Sequence, residues 1–148
     1  MLKPGDAAPD FTLPDEVGRP THLAALLTSG PVALLFYPRD FTPACTREVC
    51  MARDAHSELA AGGINVLGIS ADSVESHERF RTRHRLTFPL LADVDKTVCR
   101  AYGALGLFGF GTRRITYLIG RNGKILDAVN AALRVSAHEA LLQRALAA

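Results

Sequence analysis

The chain has 148 residues, 48% hydrophobic and 22% charged, the balance of one globular domain and too apolar for a disordered chain. Lys and Arg number 17 against 15 Asp and Glu, and the net charge of +2 is too small a surplus to point to nucleic acid or an anionic membrane surface. No apolar run approaches the ~18 residues of a membrane-spanning helix, and residues 1–10 carry two prolines and no apolar stretch, so neither a membrane anchor nor a signal peptide is expected and the expected address is cytoplasmic.

Residues 11–13 read as a short strand, 14–18 as a turn and 19–23 as the return from it, an N-terminal β-hairpin. Residues 31–37 form a continuous apolar run that stops at Pro38, the pattern of a strand buried on both faces. A helix is expected over 42–61: Thr42 suits the N-cap, Pro43 the first helical position, and Gly62 and Gly63 close it. Residues 64–70 read as a second buried strand, and Asp72-Ser73-Val74-Glu75 opens a helix that continues to about Arg85. A brief strand covers 88–91, and Asp93 is placed to cap a short helix through Tyr102. Runs 115–119 and 124–129 flank Arg121-Asn122-Gly123, which predicts a hairpin with a type I′ turn. Ser136 and Glu139 have capping-box spacing at the start of the last helix. Strands alternating with helices imply parallel βαβ units, and the late hairpin adds antiparallel strands. The expected fold is α/β, thioredoxin-like, with a mixed central sheet, helices on both faces and one domain over 1–148.

Three cysteines, Cys45, Cys50 and Cys99, make an odd count that argues against a disulfide framework. A free cysteine is by default a buried small hydrophobe, so placement has to decide. Cys45 falls at the third helical position, beyond the carboxyl end of a strand, where α/β sheets form their sites. Its sulfur lies among first-turn N–H groups that lack intrahelical partners, and the helix dipole there favours thiolate over thiol. Cysteines so placed act as nucleophiles. Arg39 and Arg47 are close in sequence and add positive charge, and the Thr42 hydroxyl is within reach of the thiolate or a bound substrate. Cys50 is five residues further on. In a regular helix that spacing gives a rise of about 7.5 Å, a rotation of about 140° and Cα atoms roughly 8–9 Å apart. A disulfide needs Cα atoms within about 7 Å. Cys50 is therefore either inert core, or the helix unwinds locally during a reaction. The spacing also departs from the C-x-x-C of thioredoxin-type oxidoreductases.

Taken together, these residues resemble the active site of the peroxiredoxins, in particular the bacterioferritin-comigratory or peroxiredoxin Q subfamily. The pattern P-x-x-x-T-x-x-C is matched by Pro38, Thr42 and Cys45, and the subfamily's second cysteine by Cys50. The family's distant arginine, before a Thr/Ser-aromatic pair, is matched by Arg114 in Arg114-Ile115-Thr116-Tyr117. Glu48 and Arg53 match a recurrent acid and a recurrent arginine of the first long helix. The resemblance extends over nearly the whole chain, including residues 5–13 and 95–103. It implies a peroxidase in which Cys45 attacks the peroxide and becomes a sulfenic acid. Arg114 and Thr42 would hold the peroxide, Pro38 would shield the sulfenate, and Cys50 would resolve it as a disulfide after local unwinding. It further implies hydrogen peroxide and organic hydroperoxides as substrates, thioredoxin or a similar dithiol as reductant, and no metal or organic cofactor. A monomer or weak homodimer is expected, with no nucleic-acid or membrane partner. Ala52 departs from the family, which commonly has Phe there, and Cys99 is an additional thiol, read as core but able to compete as a second resolving cysteine.

Other features carry less. The arginines of 79–85 spread over two helix faces and read as a solvated surface. His22, His56, His77, His84 and His138 show no pair at zinc spacing. The glycine-rich stretch 103–111 precedes a strand instead of following one, the wrong context for a dinucleotide loop. Its Leu107, Phe108 and Phe110 are expected to border the site and admit organic hydroperoxides, or to pack in a dimer. Two further readings use the same cysteines differently: a peroxide-sensing redox switch or interaction module, and a thioredoxin-like binding domain whose cysteines are inert.

Overall fold

The computed structural model describes residues 1–106, 111–130 and 135–147. In chain order they form β1 (Thr12–Pro14), β2 (Pro20–His22), α1 (Leu23–Leu27), β3 (Val32–Phe36), α2 (Pro43–Ala61), β4 (Asn65–Ser70), α3 (Val74–His84), β5 (Leu90–Ala92), α4 (Thr97–Ala101), β6 (Ile115–Ile119), β7 (Ile125–Asn130) and α5 (Val135–Ala147). The expected α/β fold with a mixed sheet is present. Five strands pair in the order β5-β4-β3-β6-β7, parallel across β5, β4 and β3 and antiparallel across β3, β6 and β7. β1 and β2 make the separate N-terminal hairpin. Among the described residues no helix is long and apolar enough to cross a membrane.

The apolar run of β3 is continuous because both of its faces are covered. Val32, Leu34 and Phe36 join a core with Leu23 and Leu27 of α1, Val98 and Cys99 of α4, and Phe11. Ala33, Leu35 and Tyr37 face the other way, into a core with Val49, Ala52 and Leu59 of α2, Phe80 of α3, and Leu141 and Leu142 of α5. Helices thus lie on both faces, as alternation of buried residues along a central strand requires.

Several local expectations are corrected. Residues 23–27, read as the end of a returning strand and unassigned beyond it, form α1, a short helix whose Leu23 and Leu27 reach the core at i, i+4 spacing. The β6–β7 turn is not type I′. Such a turn needs positive φ at both central residues, but Gly123 alone of that stretch has it, at 79°. The N–H of Gly123 donates to the carbonyl of Gly120 at 2.9 Å, so Arg121 and Asn122 are the central pair, and Asn122 Oδ1 accepts from the Lys124 N–H at 3.1 Å. Ser136 lies inside α5 instead of capping it. Asp93 does cap α4, from a distance: its carboxylate accepts the N–H groups of Val98 and Cys99 at 3.2 and 2.7 Å, while Lys96 occupies the N-cap position.

Candidate active site

α2 begins as its residues dictate. Thr42 is the N-cap in extended conformation and Pro43 stands in the first turn, where its missing N–H costs nothing. Cys45 follows in the same turn and is fully buried. The Thr42 hydroxyl makes no capping bond; it donates to the carbonyl of Arg39 at 3.0 Å, which ties the loop to itself. Pro38, Arg39 and Arg47 are exposed around this turn.

The cation at the sulfur is Arg114. Sheet register explains how it arrives. β3 and β6 run antiparallel with Phe36 opposite Ile115, so the residue before Ile115 lies just beyond the carboxyl end of β3, against the loop that carries Cys45. Arg114 Nη2 donates to Cys45 Sγ at 3.2 Å, and Nη1 donates to Glu48 Oε2 at 3.0 Å. Cys45 and Glu48 are three residues apart on a helix and share a face, so one guanidinium bridges both. Arg114 is only 5% exposed and Glu48 not at all. Burial pushes the Glu48 carboxyl up to about 7, against the pull of the Arg114 charge and hydrogen bond. For Arg114 burial acts to lower the pKa, but the Glu48 carboxyl and the Cys45 sulfur outweigh it and hold the guanidinium above its ordinary value. A permanent cation is therefore fixed at the Cys45 sulfur, where it would favour negative charge developing on or beside that atom.

His138 was not among the expected site residues. Its Nδ1 is 2.7 Å from the Thr116 hydroxyl, and its Nε2 is 4.0 Å from Glu48 Oε2. The sequence did hold a signal: His138, Leu141, Leu142 and Ala145 are the buried residues of α5, spaced i, i+3, i+4, i+7. Among the described residues Glu48 Oε1 has no hydrogen-bond partner.

The remaining residues sit apart from this cluster. Cys50 is half-buried, on the same unbroken helix as Cys45, and both thiols are free. Arg53 turns away: Nη1 donates to the carbonyl of His84 at the end of α3 at 2.7 Å, and the guanidinium pairs with Asp54. Cys99 is fully buried on the opposite face of the sheet, and burial, then Asp93, push its thiol far up. It is core, the first of the two readings given to it. Leu107, Phe108 and Phe110 lie outside the described residues.

The model of the AhpC/TSA family matches residues 4–128. Peroxiredoxin Bcp of Escherichia coli is 42% identical over 130 residues, covering 84% of this chain and 83% of that protein. The crystal structure of peroxidoxin BcpB from Mycobacterium tuberculosis superposes with a TM-score of 0.92 at 37% identity, covering 99% of this chain and 97% of that one. The bacterioferritin comigratory protein of Xanthomonas campestris, whose structures address its alkyl peroxide reduction activity, gives a TM-score of 0.85 at 30% identity over 99% of this chain and 96% of that one. The buried Cys45–Arg114 pair at the mouth of the sheet is thus housed in a known frame, and the chain belongs to the AhpC/TSA family as a thiol peroxidase of the Bcp and peroxiredoxin Q type.

Proposed function

We propose that the chain reduces hydrogen peroxide and organic hydroperoxides in a two-cysteine cycle within one chain, with Cys45 peroxidatic and Cys50 resolving. The observation that carries it is the Arg114 guanidinium, 3.2 Å from the Cys45 sulfur and 3.0 Å from Glu48. Cys45 takes the terminal peroxide oxygen, the O–O bond breaks, and the other oxygen leaves as water or alcohol. Arg114 and Thr42 hold the peroxide, and Arg114 neutralises the charge on the departing oxygen. Pro38 covers the resulting sulfenic acid. The first turns of α2 then unwind, the Cys50 thiol attacks the sulfenic sulfur, and water leaves as the disulfide forms. Thioredoxin or a similar dithiol returns both thiols by exchange. The cytoplasm, whose reducing pool keeps such thiols free, is the compartment this cycle fits.

The test is peptide mass mapping after one equivalent of hydrogen peroxide and quenching with an alkylating agent. A linked Cys45–Cys50 peptide with Cys99 alkylated is expected. Cys45→Ser should abolish turnover, and Cys50→Ser should consume one equivalent and then stall with thioredoxin. Oxygen added to Cys45 with Cys50 alkylated in the wild type would remove Cys50 from the cycle. An unmodified Cys45 would overturn the reading.

A further inference from the structure

The loop that delivers Cys45 to its seat is held by a buried polar cluster on the side away from Arg114. Asp40, two residues before the helix cap, has a side chain only 1% exposed. Its Oδ1 accepts from the Tyr37 hydroxyl at 2.7 Å. Its Oδ2 accepts from the Ser76 hydroxyl at 2.8 Å and lies 2.8 Å from His77 Nδ1. The other ring nitrogen, Nε2, lies 3.0 Å from the carbonyl of Leu91. The Asp40 backbone N–H donates to Asp72 Oδ2 at 2.8 Å, and that oxygen is itself fixed by the Ser70 hydroxyl at 2.6 Å. Asp40, Asp72 and His77 offer ligand atoms within 4.8 Å of one another, but both oxygens of Asp40 and both ring nitrogens of His77 are already engaged inside the protein.

Strain in the next residue shows what this cluster works against. Phe41 has φ 67°, a left-handed conformation that a bulky residue holds only where its surroundings over-determine it. The residue is 50% exposed, and its ring rests edge-on against Phe80 of α3, centroids 5.0 Å apart. The backbone then passes through Thr42 and Pro43 to Cys45. One end of this path is fastened to α3 by Asp40, and through His77 to β5, and the other is fastened next to β6 by Arg114. Asp40 makes no contact with the reacting sulfur.

We propose that Asp40, through its buried pairing with His77, is a positioning residue of the peroxidase: it clamps residues 38–42 onto α3 and so holds Cys45 seated against Arg114, setting the balance between the seated helix and the unwound one. The proposal deepens the two-cysteine reading and rests on it. Peroxide attack needs the seat, and disulfide formation needs its release. Weakening the clamp must therefore slow the first step and speed the second, whereas a residue that merely supports the fold would shift neither at temperatures where the protein is folded.

The test is single-turnover kinetics on the full chain with hydrogen peroxide, separating the peroxide-dependent oxidation of Cys45 from the peroxide-independent closure of the Cys45–Cys50 disulfide. For Asp40→Asn the first rate constant should fall about tenfold or more and the second should rise severalfold. Ser76→Ala removes one donor and retains the His77 pairing, so it should shift both in the same directions by smaller factors, and it serves alone if Asp40→Asn does not fold. Rates within twofold of wild type in the folded variants would overturn the clamp, as would a parallel fall in both steps. A wild type that forms no Cys45–Cys50 disulfide would instead overturn the two-cysteine reading, and the clamp would then stand or fall on the oxidation rate alone.

Discussion

Glu48 is a buried acid on which burial and Arg114 pull in opposite directions. Burial favours its neutral form and Arg114 its ionised form, and burial prevails, so the carboxyl sits near 7 instead of its ordinary 4.5. A carboxyl raised in the folded protein contributes stability that is fully present below its unfolded value and is lost as pH climbs through its folded value. The window runs from about 4.5 to about 7, and the effect is about 3 kcal/mol at most. Glu48→Gln keeps the shape and cannot titrate. The stability advantage of wild type over Glu48→Gln should therefore shrink between pH 5 and pH 8, read from urea midpoints at the two pH values. A gap that stayed level from pH 5 to pH 8 would mean that Arg114 holds Glu48 ionised throughout. This site was partly legible in the sequence. Cys45 stood out because a cap, a proline and a cysteine coincide. Arg114, 69 residues away, came only with the family resemblance. His138 was hidden because local spacing offered a capping box, and the burial of its face depends on how α5 packs on α2. Asp40 and His77, 37 residues apart, have no local pattern that pairs them.

At the scale of elements, the sheet was legible where one force dominated. β3 announces itself as an unbroken apolar run, β4 as a mainly apolar one, and α2 by its cap and its glycine pair. What failed was decided by tertiary contact or by one dihedral. α1 is five residues long, too short to show a period, and exists because Leu23 and Leu27 are drawn into the core. The Asn122-Gly123 pair turned the chain with a single left-handed residue. Gly30 makes a comparable point about close approach. A Cβ there would lie 2.1 Å from the carbonyl oxygen of Gly63, so the chain entering β3 touches the chain leaving α2 backbone to backbone. Gly30→Ala must push these connections apart, at a cost of about 1–3 kcal/mol by analogy with overpacked cores. The thermal midpoint should fall by a few to about 10 °C. Gly30 precedes β3 whereas Cys45 lies beyond its far end, so the rate of Cys45 oxidation at 25 °C should stay near wild type. An unchanged midpoint would mean that the turn after α2 yields freely.

Across the whole molecule, the proposed two-cysteine cycle would ask one helix to be both seat and hinge. In α2 the cysteines are five residues apart on an unbroken helix, and the pair cannot close until the helix opens. The opening is inexpensive at its beginning. The first N–H groups of a helix have no intrahelical partner in any case, Pro43 has none to lose, and the first bond to break is that from the Thr46 N–H to the Thr42 carbonyl, 2.8 Å long. Further along, the helix is pinned. Ala52 and Leu59 are buried in the core shared with α5, and Arg53 holds the last carbonyl of α3. The boundary between the part that opens and the part that stays should therefore fall between Cys50 and Arg53, leaving β3, β4 and β6 untouched. Amide hydrogen exchange on the reduced and the peroxide-oxidised protein checks this directly. Amides of residues 46–51 should lose protection on oxidation, while those of 54–61 and of the three central strands keep it. Equal protection of 46–51 in both forms would mean that the disulfide, if it forms, is reached without unwinding. Loss of protection along the whole of α2 would mean that the Arg53 contact and the core beneath it do not stop the opening.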